Sequence, residues 1–147
     1  MAITRITKSA LLPYSAEQLF DLIDDIEAYP QYMDGCVGAE VLSREGNTVC
    51  GRLDLSRAGI RQSFATRNTL DRPHSMRMDL LEGPFTSLTG EWKFIALAAD
   101  ACKVVLDLSF EMDGKLAGIA AGKLFESVAS GQVDSLCRRA HALLGKH

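Results

Sequence analysis

Leu81 to Phe94 reads LEGPFTSLTGEWKF, and its two parts obey different rules. Gly83-Pro84 interrupts an apolar run, because proline has no N–H for a sheet ladder and glycine supplies turn conformations. Beyond that turn Leu88, Gly90, Trp92 and Phe94 alternate with Thr89, Glu91 and Lys93, the period of a strand with one apolar and one wet face. So large an apolar face needs a second layer, which the rest of the chain has to supply.

The same alternation runs outward on both sides, from about Val37 to Met112. Turn signals at Glu45-Gly46-Asn47, Ala58-Gly59, Arg72-Pro73, Gly83-Pro84, Ala99-Asp100 and Asp113-Gly114 divide this region into six strands joined as hairpins. Val49, Leu53 and Leu55 share one parity, as do Ile60, Phe64 and Leu70, then Met76, Met78 and Leu80, then Val104, Leu106, Leu108, Phe110 and Met112. Opposite the last set stand Lys103, Asp107, Ser109 and Glu111, as expected of an antiparallel sheet with one solvated face. Residues 2–12, rich in Ile and Thr and closed by Pro13, predict an opening strand.

Two helical segments frame the strands. Ser15 with Gln18 has capping-box form, Tyr14 and Leu19 are placed as a hydrophobic staple, and Leu19, Leu22, Ile23 and Ile26 follow helical spacing. This helix should break before Pro30, since the residue preceding a proline is pushed out of the α region. Lys115 to about Leu144 contains no proline and reads as one long helix with Leu124, Val128, Leu136, Ala140 and Leu143 on its apolar stripe, broadened by Phe125, Ala129 and Val133. Gly118 and Gly122 extend the Phe125/Ala129 face toward the N-terminus. They either let helix and sheet approach closely or withhold side-chain volume and leave a cavity opposite the aromatic strand.

At 147 residues the chain has the length of one domain, residues 1–147, able to close a substantial core. A net charge of -3 with 24% charged residues argues against a nucleic-acid-wrapping surface and against direct DNA binding. Cys36, Cys50, Cys102 and Cys137 are widely spaced and form no CxxC pair, and His74, His141 and His147 form no ligand cluster, so no metal site is expected. No apolar run reaches the ~18 residues of a membrane span, and the expected location is cytoplasmic. Asp21, Asp24, Asp25 and Glu27 lie mostly off the apolar stripe and read as a solvated helix face. No GxSxG, P-loop or HExxH motif occurs, and no catalytic residue is assigned. Gln62, Thr66 and Asn68 share the apolar parity of their strand, where they meet either a ligand headgroup or solvent at the strand end.

Two segments carry a family resemblance: DLIDDIEAYPQYM at Asp21 to Met33 and GPFTSLTGEWKF at Gly83 to Phe94. Together they resemble the coenzyme Q-binding START-domain family, polyketide cyclase-like, which also takes in ribosome association toxins. The resemblance implies an α+β, helix-grip (START/Bet v 1-like) fold: a curved antiparallel sheet of about seven strands wrapped around a long C-terminal helix, with short helices after the first strand. It further implies a START-like lipid-binding domain whose hydrophobic tunnel holds ubiquinone or a related polyprenyl lipid as ligand rather than catalytic cofactor. Such a protein would support respiratory electron transport as carrier or chaperone, with transient contact at the inner membrane surface for lipid exchange.

Carried over by position, Tyr29, Pro30 and Tyr32 would shape the tunnel rim, and Phe85, Leu88, Trp92 and Phe94 its sheet wall. Leu53, Leu55, Phe64, Met76, Met78, Leu80 and Phe110 would complete the wall, with Leu116, Gly118, Ile119, Gly122 and Phe125 as the helical lid. Met33-Asp34-Gly35-Cys36 departs from the family's common Leu-Pro-Trp-Cys, losing a proline and a tryptophan at the rim. Two further functions stay open: a ribosome association toxin-like factor that binds a ribosomal subunit and blocks subunit joining, and a polyketide cyclase or aromatase.

Overall fold

The computed structural model describes residues 3–113 and 116–145, with the side chains of residues 116–118 outside that description. Strand β1 (Thr4–Leu12) is followed by helix α1 (Ala16–Asp24) and a 3-10 turn (Ile26–Gln31). Six hairpin strands then run as β2 (Cys36–Glu45), β3 (Thr48–Arg57), β4 (Ile60–Asp71), β5 (Ser75–Glu82), β6 (Phe85–Ala98) and β7 (Ala101–Met112), before helices α2 (Leu116–Ser130) and α3 (Gln132–Leu144). All seven strands form one antiparallel sheet in the order β1-β7-β6-β5-β4-β3-β2. The expected helix-grip fold is present.

Helix α1 begins where the capping residues direct it. The Gln18 amide donates to Ser15 Oγ and the Ser15 amide donates to Gln18 Oε1, both at 3.1 Å, which satisfies two of the donors that a helix start leaves over. The α-helix ends at Asp24, ahead of the predicted stop, and Pro30 lies inside the 3-10 turn that follows. Two tyrosines from that turn reach back: Tyr29 Oη donates to the Ile23 carbonyl at 2.5 Å and Tyr32 Oη to the Leu22 carbonyl at 3.3 Å. They occupy carbonyls that the end of α1 would otherwise leave unpaired.

The long C-terminal helix of the sequence reading is two helices. At Gly131 the amide takes the Val128 carbonyl at 3.1 Å, a tighter turn than the α-helical bond, and the Ser135 amide restarts the ladder on Gly131 O at 3.0 Å. Glycine has the weakest helix propensity after proline, so the break falls where bending costs least. Its consequence is positional: α2 lies against β3, β4 and β7, while α3 turns toward β1 and α1.

Strand β6 carries a correction of parity. Phe85 and Leu88 differ in parity yet are both buried, because the register skips Thr86 between the pairs Phe85↔Met112 and Ser87↔Glu111. This bulge sets both side chains facing inward. Trp92 and Phe94 then stack at 6.2 Å, and Phe20 of α1 meets Phe94 edge-on at 5.5 Å. At the other end Phe125 of α2 enters a ring cluster with Phe64, Phe85 and Phe110. The apolar face of the opening stretch therefore packs on two helices, each contact adding ~0.5–1.5 kcal/mol beyond its buried area.

Candidate functional site

Between β3, β4, β6 and the helices lies a cavity of about 50 Å³. It is lined by the apolar side chains of Ile26, Leu53, Phe64, Met78, Leu88, Trp92, Leu108 and Phe125, by the Tyr29 ring and Gly51, and by the polar residues Thr66, Asn68 and Gln132. Pockets for small organic ligands begin at roughly 300 Å³, so this space suits a few water-sized groups and not a prenyl chain.

The polar residues follow from strand parity. Gln62, Thr66 and Asn68 occupy the inward positions of β4 between and beyond Phe64. Thr66 and Asn68 are buried, and Thr66 Oγ1 donates to Asn68 Oδ1 at 2.8 Å. Both amide atoms of Gln62 are buried without a hydrogen-bond partner among the described residues. Strand-end solvation does not describe these side chains. Thr66 and Asn68 put polar atoms on the wall of an otherwise apolar chamber, whereas Gln62 lies outside its lining; an unpaired buried amide costs about 1–3 kcal/mol.

Of the residues expected to wall a tunnel, Tyr29, Leu53, Phe64, Met78, Leu88, Trp92 and Phe125 line the cavity. Leu55, Met76, Phe85, Phe94 and Phe110 are buried in the core beside it, and Leu80 packs against that core half-buried. Tyr32 is half-buried, Pro30 is exposed, and Ile119 is 57% exposed on the outer side of α2. Leu116 and Gly118 fall on side chains outside the described residues. Gly122 answers the question of volume at its own position: a Cβ there would stand 2.9 Å from Met112 Cγ, so this glycine lets α2 approach the sheet. The glycine that borders the cavity is Gly51, where a Cβ would meet Ile26 Cδ1 at 3.2 Å. A glycine at an inward strand position was a readable signal of it. Gln132 was hidden, because it owes its place to the break between α2 and α3.

Electrostatics give the interior little chemistry. Burial, reinforced by Tyr32 and Asp24, raises the Tyr29 hydroxyl well above its ordinary value, and burial likewise raises Tyr32 against the pull of Arg139. Burial also raises the thiols of Cys36, Cys102 and Cys137, which opposes thiolate formation. The acidic group on α1 is largely engaged: Asp21 pairs with Arg72 at 2.8 Å, Asp24 with Arg44 at 3.2 Å, and Glu27 Oε2 accepts the Val41 amide at 3.0 Å. Among the described residues no group of three or more His, Cys, Asp or Glu is placed to hold a metal, and no helix is long and apolar enough to cross a membrane.

Known proteins give these features a context. The sequence model of the family described as "Polyketide cyclase / dehydrase and lipid transport" matches residues 12–137. The chain is 42% identical over 142 residues to the ribosome association toxin RatA of Pseudomonas aeruginosa, covering 97% of this chain and 99% of that protein. It is 40% identical over 136 residues to RatA of Escherichia coli K12, covering 92% and 86%. A more distant similarity, 22% identity over 144 residues, joins it to the mitochondrial coenzyme Q-binding protein COQ10 homolog B of Xenopus laevis, covering 95% and 59%. Among solved structures the Zhui aromatase/cyclase of Streptomyces sp. R1128 superposes with a TM-score of 0.82 at 18% identity, covering 98% of both chains, a likeness of fold.

Proposed function

The chain belongs to the polyketide cyclase / dehydrase and lipid transport family, and from that premise we propose that it acts by binding a ribosomal subunit and hindering subunit joining. The observation that carries this reading is the near full-length identity of about two residues in five to proteins named ribosome association toxins, 42% over 97% of the chain in one case. The interior agrees with it, since a cavity of about 50 Å³ leaves the surface as the larger recognition element. The reading is non-enzymatic: the relatives are named for association or binding, and the cyclase likeness rests at 18% identity.

The test is co-sedimentation with separated large and small subunits at low salt. The protein is expected to pellet with one of them in a saturable manner. Protein that stays in the supernatant with both subunits would rule the reading out.

A second reading keeps a hydrophobic ligand, in first place the ubiquinone-type lipid, in the chamber. The Thr66–Asn68 pair on the chamber wall favours it, because such groups suit a carbonyl or hydroxyl headgroup at the end of an apolar tail. The distant COQ10 similarity points the same way. It requires the chamber to widen around its guest. Solvent extraction of the purified protein followed by mass spectrometry separates the two readings, since a carrier yields a prenyl lipid in near-stoichiometric amount relative to protein.

A further inference from the structure

Arg5, Arg44, Arg52, Arg72, Arg77 and Arg138 each stand within ion-pair distance of a carboxylate. Arg57 and Arg139 are held differently. Arg57 Nη1 donates to the Ser127 hydroxyl. Arg139 Nη2 donates to Gln31 Oε1 at 3.0 Å, and its guanidinium lies over the Tyr32 ring, 4.9 Å from the centroid. Both sets of partners are uncharged, so among the described residues two positive charges are oriented without being neutralised. Among the described residues the Nε of Arg139 is buried with no hydrogen-bond partner, so this guanidinium has already given up part of its hydration. That lowers the further desolvation an anion would demand.

One short segment brings these charges together. Gln31 and Tyr32 hold Arg139, Asp34 pairs with Arg138 at 3.1 Å, and a Cβ at Gly35 would stand 3.3 Å from Arg57 Nη2. The Arg138–Asp34 pair is open to water, with side chains 61% and 71% exposed. Such a pair contributes little, and a competing anion can replace Asp34. Lys123, one turn before Ser127 on the exposed side of α2, extends the patch; Glu126 and Asp134 are the exposed carboxylates of the same helices. With a net charge of -3, contact with a polyanion has to be local, and this rim brings together two arginines held by uncharged partners.

We propose that the arginine rim around residues 31–35, formed by Arg57, Arg138 and Arg139, docks on the phosphate backbone of ribosomal RNA. The proposal rests on the subunit-binding reading and names the surface that would serve it. Phosphates take the two neutral-held guanidiniums directly and displace Asp34 from Arg138.

The experiment measures binding of the full chain to the separated subunits, and to ribosomal RNA freed of protein, from about 50 to about 300 mM KCl. The double variant Arg57→Gln/Arg138→Gln is compared with wild type and with Arg77→Gln/Lys103→Gln on the outer sheet face. The rim variant is expected to lose at least ~10-fold in affinity near 100 mM salt and to lower the slope of log K against log salt by roughly 1.4–1.8, while the control pair stays within about twofold. Should the double variant fail to fold, the exposed Arg138→Gln alone carries the comparison, with half the change in slope. Equal affinity and slope in rim variant and wild type, or an equal loss in the control pair, overturns the proposal while leaving subunit binding standing. If wild type binds neither subunit, the subunit-binding reading fails, and the free RNA decides the rim: a loss confined to the rim variant supports it, and absence of binding or of selectivity overturns it.

Discussion

Replacing Phe125 with alanine is expected to lower the unfolding free energy by about 3–5 kcal/mol, read as a fall in the urea midpoint with little change in slope. The ring is 4% exposed and stands edge-on to three others, 4.7 Å from Phe110, 5.1 Å from Phe85 and 5.4 Å from Phe64. Its removal takes away the transfer energy of a phenyl group and three ring contacts, and α2 covers the sheet at this point. The same substitution opens a void against the existing cavity of about 50 Å³, because Phe125 is part of its wall. A cavity of ~150 Å³ lined by apolar side chains admits benzene, so benzene is expected to raise the melting temperature of Phe125→Ala and leave wild type unmoved. A loss under about 1 kcal/mol would mean that α2 is not clamped through this ring.

Gly35→Ala is expected to cost about 2–5 kcal/mol, and its two causes are independent. Gly35 has φ +89°, where an L-residue pays roughly 1–2 kcal/mol against the left-handed conformation. An added Cβ would also meet Val128 Cγ2 at 2.5 Å, and Val128 is buried on α2 with a β-branched side chain that cannot swing aside, an overpacking worth roughly 1–3 kcal/mol. Gly35 lies inside the segment that gathers the arginines, so subunit affinity should fall with stability. Near wild-type stability on urea unfolding would show that the segment relaxes more easily than its packing implies.

Strand alternation made most of this fold readable. The parity of Val104, Leu106, Leu108 and Phe110 against Lys103, Asp107 and Ser109 follows directly from one dry and one wet face, and the turn signals between the runs mark the hairpins. The break at Gly131 was not readable, because the apolar stripe continues through it: a single tightened turn redirects the axis without cancelling the spacing of Val128 and Leu136. The resemblance implies a tunnel-rim place for Tyr29 and Tyr32 but not the bonds of their hydroxyls to the end of α1, which depend on how the 3-10 turn folds back.

The site divides along the same line. Polar residues at inward strand positions were visible as Gln62, Thr66 and Asn68. The size of the chamber was not visible, since a void is the residue of all surrounding packing and no single position encodes it. Nor could the sequence show which arginines lack a carboxylate. Arg57 and Ser127 are far apart in the chain, as are Arg139 and Gln31, and only the folded arrangement gives these two charges uncharged partners.

The central claim is that this protein works on a ribosomal subunit from its surface, without a lipid inside. Light scattering of 70S formation as magnesium is raised over separated subunits, with protein first extracted of lipid, tests it most directly. Joining is expected to fall in proportion to added protein and to level off near one protein per subunit. Full joining at saturating lipid-free protein would contradict the account.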